Sequence, residues 1–169
     1  MSHAKNKVDW CLRKALQESK AGVHKGLLKI APNRKEADLH IAKAEHYLLA
    51  TQHLQKSGFS DISASTAFYS MYHCLLAICI KQGYESHNQE CTFSLIESLV
   101  EDGKIDFDSD VLCKIANAKQ DNPGIASRAI RELMQYGTSL SLEDNLCKEL
   151  VQLVKQTLFA SKKVLAGKD

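Results

Sequence analysis

The sequence predicts an all-α protein: an up-and-down bundle of four or five helices preceded by an extra N-terminal helix. Three observations carry that expectation. Apolar residues recur at spacings of three and four over most of the chain, no alternating run of β-branched residues lasts long enough to make a strand, and proline occurs only as Pro32 and Pro123. A bundle follows because each apolar stripe must be covered by another helix. With 169 residues the chain amounts to about one domain and can bury a real core.

The elements follow in order. A first amphipathic helix spans about Lys7 to Ala21, with Val8, Cys11, Leu12 and Ala15 on one side, and Gly22, Gly26 and Pro32 mark a break after it. Asn33 caps a long helix to about Ser57, with Ala37, Ile41, Ala44, Leu48 and Thr51 along one face. Gly58 ends it. Ser60 or Asp61 starts the next, where Phe68, Met71, Tyr72, Leu75, Leu76 and Cys79 form a broad apolar stripe and Gly83 supplies the stop. A shorter helix runs from about Gln89 to Val100, with Phe93, Ile96 and Leu99 inward. The acidic segment Glu101 to Asp110 is expected to be a solvated loop. A short helix, Val111 to Lys119, then leads to a "DNPG" turn at Asp121 to Gly124, and "IASRAIRELMQYG" makes about three helical turns closed by Gly137. Ser141, with an approximate capping box, opens the last helix, whose inward residues are Leu146, Leu150, Leu153, Thr157 and Ala160. Two units are expected, a basic helical extension over residues 1–31 and the bundle over 32–169.

The net charge of +2 conceals an asymmetry. Residues 1–35 hold nine Lys and Arg against Asp9 and Glu18, a balance of +7, and the remainder carries −5. Such an arm suits nucleic acid or an acidic partner surface, although a solvated lysine-rich helix reads the same way. The apolar run Leu75 to Ile80 is far shorter than the roughly 20 residues that a bilayer span needs, and no apolar leader stands at the N-terminus. A soluble, cytoplasmic protein without membrane contact is expected. Its six cysteines, Cys11, Cys74, Cys79, Cys91, Cys113 and Cys147, include no CxxC pair and sit mostly in apolar helical patterns, so reduced, buried thiols are expected.

Several enzyme classes lose their support. A di-metal carboxylate bundle needs Glu-x-x-His on two helices, and the nearest substitute is Glu36 with His40, beside Asp38. No metal and no cofactor is expected. Glycine-rich phosphate loops, nucleophile elbows and HExxH are absent from the sequence. Three stretches remain. In "AFYSMYHCLLA", Tyr69 and His73 lie one turn apart beside the Phe68–Tyr72 line, so their polar tips and that of Tyr72 either line a cleft or cap core aromatics. The polar "GYESHNQ" adds His87 and Asn88. In "RAIRELMQYG", Arg128 and Arg131 project from one side, with Gln135 and Tyr136 a turn on; they could hold a phosphate or pair with Glu132 or an acid elsewhere.

Together, "HIAKAEHYLLA", "GFSDISASTAFYSMYHCLLAICIKQGYES" and "RELMQYG" resemble the HEPN superfamily, especially its small stand-alone prokaryotic members, over about Lys35 to Leu165. The resemblance implies a helical bundle that forms a homodimer across a cleft, often a toxin partnered by a small nucleotidyltransferase antitoxin. Many members are metal-independent ribonucleases with an Arg, four to six residues, then His. There the Arg stabilises phosphate charge while the His moves the proton. The matching arginine is Arg131, but after four residues Tyr136 stands where His would, and no histidine follows His87. A tyrosine, with a reference pKa of about 10, is a poor base near neutral pH. The leading expectation is therefore a dimeric nucleotide- or RNA-binding regulatory module of a toxin–antitoxin or defence system. A divergent ribonuclease using Arg131 with Tyr136 or His87, and a protein-interaction adaptor, are the alternatives.

Overall fold

The computed structural model describes residues 2–23, 25–116 and 126–167. Among them are seven helices and one two-stranded ribbon: α1 (His3–Lys20), β1 (Leu27–Lys29), α2 (Arg34–Lys56), α3 (Ser60–Lys81), β2 (Tyr84–Ser86), α4 (Gln89–Glu101), α5 (Ser109–Ala116), α6 (Ser127–Tyr136) and α7 (Asp144–Ala166). The "DNPG" turn and the last residues of the helix expected to reach Lys119 lie outside the described residues.

The centre of the bundle is α3. Its sequence is apolar almost all round, and Ala64, Ala67, Phe68, Met71, Cys74, Leu75, Ala77, Ile78 and Cys79 are all fully buried, so it must be surrounded on every side. It packs against α2, α7, α6 and α4. By length and composition alone α3 is apolar enough to cross a membrane, yet 61% of that apolar window is buried inside the bundle. The antiparallel α2–α3 hairpin turns at Gly58, whose φ of +83° is favourable only for glycine. Asn33 caps α2 by accepting the Glu36 N–H at 3.1 Å. The expected inner face of α2 is buried at Ala37, Ile41, Ala44 and Thr51.

Four local expectations need correction. The chain is not purely helical, because β1 and β2 pair antiparallel with Leu28 opposite Glu85; both strands have only three residues, too short for an alternating pattern to show. The acidic segment after α4 is not fully solvated, since Ile105 and Phe107 are 7% and 4% exposed and pin it to the core. The last helix starts at Asp144 with no side-chain cap, so Ser141 caps nothing there. Finally, the cysteines are not all reduced. Cys11 and Cys91 form a disulfide with their Cα atoms 6.0 Å apart, which was invisible in the sequence because the partners are 80 residues apart and meet only when α1 packs on α4. Cys74, Cys79, Cys113 and Cys147 are free.

Candidate functional site

The two polar faces of α3 do different things. On one face, toward α2, His73 Nδ1 lies 2.9 Å from His40 Nδ1. The Tyr47 ring stacks on His73 with centroids 5.6 Å apart, and Tyr69 follows at 6.1 Å from Tyr47. A short N···N contact requires one imidazole to donate and the other to accept, so at least one must be neutral. Burial lowers both pKa values; His73 falls to about 4 because burial, then His40 and Lys43, disfavour its cation, and for His40 Glu36 pulls the other way. The predicted line of Tyr69 and His73 is present, but the partner of His73 is His40 on α2.

On the other face, Phe68 stacks on Tyr72, 6.0 Å apart and nearly parallel. The Tyr72 hydroxyl bonds Thr92 on α4 at 3.1 Å, and Thr92 in turn donates to Ser86 at 2.8 Å. Burial is the main reason that the Tyr72 pKa is raised, so this phenol stays neutral. Over the outer face of Phe68 lies Arg131 of α6, its guanidinium carbon 4.7 Å from the ring centroid. Arg131 is only 8% exposed.

The geometry around Arg131 is unusual in what is left open. Its Nη2 donates to Glu132 Oε1 at 3.2 Å, but its buried Nε has no partner among the described residues, and neither does the buried hydroxyl of Ser127, one turn earlier on α6. Buried polar groups are rarely left without a partner, because the desolvation cost then goes uncompensated. Here two such groups lie one helical turn apart on α6, one of them part of the buried guanidinium itself. Arg128 is different: it donates to Glu132 Oε1 at 3.1 Å and to Glu90 in the first turn of α4, which fastens α6 to α4. The Glu90 bond is the main cause of its raised pKa, and the Arg128 bond is the main cause of the lowered pKa of Glu132.

The other expected residues lie apart from this centre. Gln135 is exposed and Tyr136 is 78% exposed, and the bond that Arg131 makes goes to Glu132. His87 bonds Glu85 at 2.9 Å on the β2–α4 connection. Asn88 is the N-cap of α4, accepting the Cys91 N–H at 3.0 Å. The residues that sequence reasoning missed are Ser127, Glu90 and Tyr47, and His40, weighed there only as a metal ligand beside Glu36, instead pairs with His73. Ser127 had a signal, being four residues before Arg131 and thus on its face of the helix; His40 and Tyr47, seven apart, share the α2 face in the same way.

A helical bundle with a buried arginine on a short helix against its central helix is the class of protein that this fold and site define. The chain belongs to the HEPN family: the HEPN domain model matches residues 37–163. That stretch begins within α2, so α1 and β1 precede it. No curated protein matches the chain significantly.

Proposed function

We propose that this HEPN protein is a binding and regulatory module that takes a phosphate group of a nucleotide or RNA at α6. The single observation that carries the reading is the buried Arg131 guanidinium, whose Nε has no partner among the described residues, one helical turn from the equally unpartnered buried hydroxyl of Ser127. An anionic oxygen there would accept from both, and charge-assisted bonds of this kind are about twice as strong as neutral ones. Binding is favoured over cleavage because, among the described residues, no histidine bonds Arg131 or Ser127 and the Tyr136 phenol is 78% exposed.

The reading includes a homodimer, and it extends to a nucleotidyltransferase partner in a toxin–antitoxin or defence setting through family membership alone. Support for self-association comes from apolar side chains left in solvent near α6: Leu133, Tyr136 and Leu140 are 66%, 78% and 81% exposed. The Leu142 N–H donates to Ser60 Oγ at 2.9 Å, which brings this segment beside Phe59 and Ile62, themselves about half exposed.

Titration of purified protein with a fluorescent single-stranded RNA and with ATP tests the site. Arg131→Ala should weaken binding at least tenfold, the scale of one lost charged hydrogen bond. Equal affinity for the wild type and Arg131→Ala overturns the reading, and RNA cleavage abolished by Arg131→Ala replaces it with the nuclease. Sedimentation at micromolar concentration reads the dimer.

A further inference from the structure

We propose that the Cys11–Cys91 bond is a thiol–disulfide exchange site, opened by a dithiol reductant, and that its reduction releases α1 from the bundle. The inference does not depend on any ligand at α6.

The bond joins an element that precedes the family match to one inside it. Little else holds α1 in place. Its buried side chains besides Cys11 are Ala4, Val8 and Ala15, all small, so the apolar area they remove from water is modest compared with the Phe, Met, Leu and Ile that anchor α3. The polar ties are peripheral: Ser2 Oγ donates to Glu101 at 2.5 Å and Lys5 pairs with Asp102. Remove the covalent link, and the helix depends on Val8, two alanines, the half-buried Leu12, one ion pair and one hydrogen bond near its start.

The bond is itself buried, with Cys11 1% and Cys91 3% exposed, and a reductant reaches it from an adjoining cleft when the edge of α1 shifts. A cleft of 160 Å³ is lined by both cysteines and by Trp10, Lys14, Lys25 and His87. The two lysines favour an approaching thiolate, although Glu18, which also lines the cleft, pairs with Lys14 at 3.8 Å. Cys91 lies in the first turn of α4, where the helix N-terminus stabilises a thiolate, which makes it the better leaving group. The first thiolate of the reductant therefore attacks Cys11 Sγ, forms a mixed disulfide and expels the Cys91 thiolate. The second thiol of the reductant then attacks its own sulfur in that mixed bond and releases Cys11. Two electrons and two protons pass to the protein, and the reductant becomes a disulfide. Internal scrambling is suppressed at the core thiols, since burial pushes Cys74 and Cys79 up to about 12 and leaves almost no thiolate there.

The chain's sole tryptophan, Trp10, sits on α1 beside the bond and reports on it directly. The full-length protein is treated with dithiothreitol under native conditions and followed by alkylation mass spectrometry, Trp10 emission and amide hydrogen exchange. Two additional alkylated cysteines, Cys11 and Cys91, are expected, with a red shift of Trp10 emission. Exchange over His3–Lys20 should rise at least tenfold while α2, α3 and α7 keep their protection. The double variant Cys11→Ser/Cys91→Ser should reproduce that pattern without reductant. A bond that resists dithiothreitol in the folded protein overturns the proposal. So does α1 protection that is unchanged after reduction, or protection lost equally from every helix.

Discussion

The two faces of α3 are built from similar residue types and reach opposite outcomes. Toward α2, His40, Tyr47, Tyr69 and His73 stack on one another, and the two imidazoles satisfy each other at 2.9 Å. Toward α6, Phe68 and Tyr72 are equally aromatic, but the group laid over Phe68 is a guanidinium whose Nε has no partner among the described residues. The histidine-rich face looks like chemistry in the sequence; in the structure it is half-exposed, but closed in that its two imidazoles satisfy each other. The face with fewer reactive residue types is buried, and is open only in keeping a donor without a partner among the described residues. Density of reactive side chains is thus a weaker sign of a site than a buried donor left without an acceptor.

The largest effect that separates the faces is expected at Phe68. Its ring is fully buried and supports both Tyr72 and Arg131, so Phe68→Ala should cost about 3–5 kcal/mol in urea unfolding. Tyr69→Ala, on the partly exposed closed face, should cost distinctly less. Equal losses would mean that the closed face is as much part of the core as the open one.

Acid should act on the closed face next. The folded pKa values of His40 and His73 lie below the ordinary 6.5, so on acidification the unfolded chain takes up protons before the folded one does. Stability is complete above about pH 6.5 and drains away as the pH falls toward about 4, where folded His73 itself protonates. Because the rings are partly exposed, solvent screening leaves a loss of order 1 kcal/mol. Urea midpoints at pH 7.5 and 4.5 measure it, and His73→Gln should flatten the slope. A variant that keeps the full slope would place the acid sensitivity elsewhere.

A smaller change, of opposite sign, is expected at Arg131. A buried charge with an open donor is costly to the free protein, and an apolar replacement of similar reach is often neutral or stabilising. Arg131→Leu should leave the melting temperature unchanged or raise it, because Glu132 keeps its bond to Arg128. A loss above about 2 kcal/mol would make Arg131 a structural residue and remove the ground for an anion site.

Much of the fold could be read in advance because helix packing leaves its period in the chain: α2 buries its expected face except for the half-buried Leu48, α4 buries Phe93, Ile96 and Leu99 and more besides, and α3 is buried further round than expected while Tyr72 and Leu76 stay half-buried. What escaped was whatever depends on contacts distant in sequence. The disulfide needs α1 docked on α4, and Ile105 and Phe107 are held by tertiary packing in a segment whose composition reads as loop. In the site, Arg131 was visible by type, whereas its burial over Phe68 was not. Arg128 and Arg131 share a stripe in the sequence, yet one ends in two carboxylates and the other under the bundle surface.

The smallest expected effect is the one that decides between binding and cleavage. Tyr136 occupies the position where the resembled motif carries its histidine, and on a helix a residue five positions from Arg131 points well away from it. Its 78% exposure agrees with that geometry. Tyr136→Phe removes only the hydroxyl from a solvated ring, so stability should change by less than about 0.5 kcal/mol and RNA or nucleotide affinity should stay within twofold. Tyr136→Ala separates the ring from the hydroxyl: a weaker dimer with unchanged affinity per site assigns the ring to self-association. If Tyr136→Phe instead lowers binding tenfold or abolishes an RNA-cleaving activity, the hydroxyl acts on the ligand. Because Tyr136 faces away from the Arg131 of its own chain, that hydroxyl would then have to serve the Arg131 of a second copy, and the open face of α3 would be half of a composite centre.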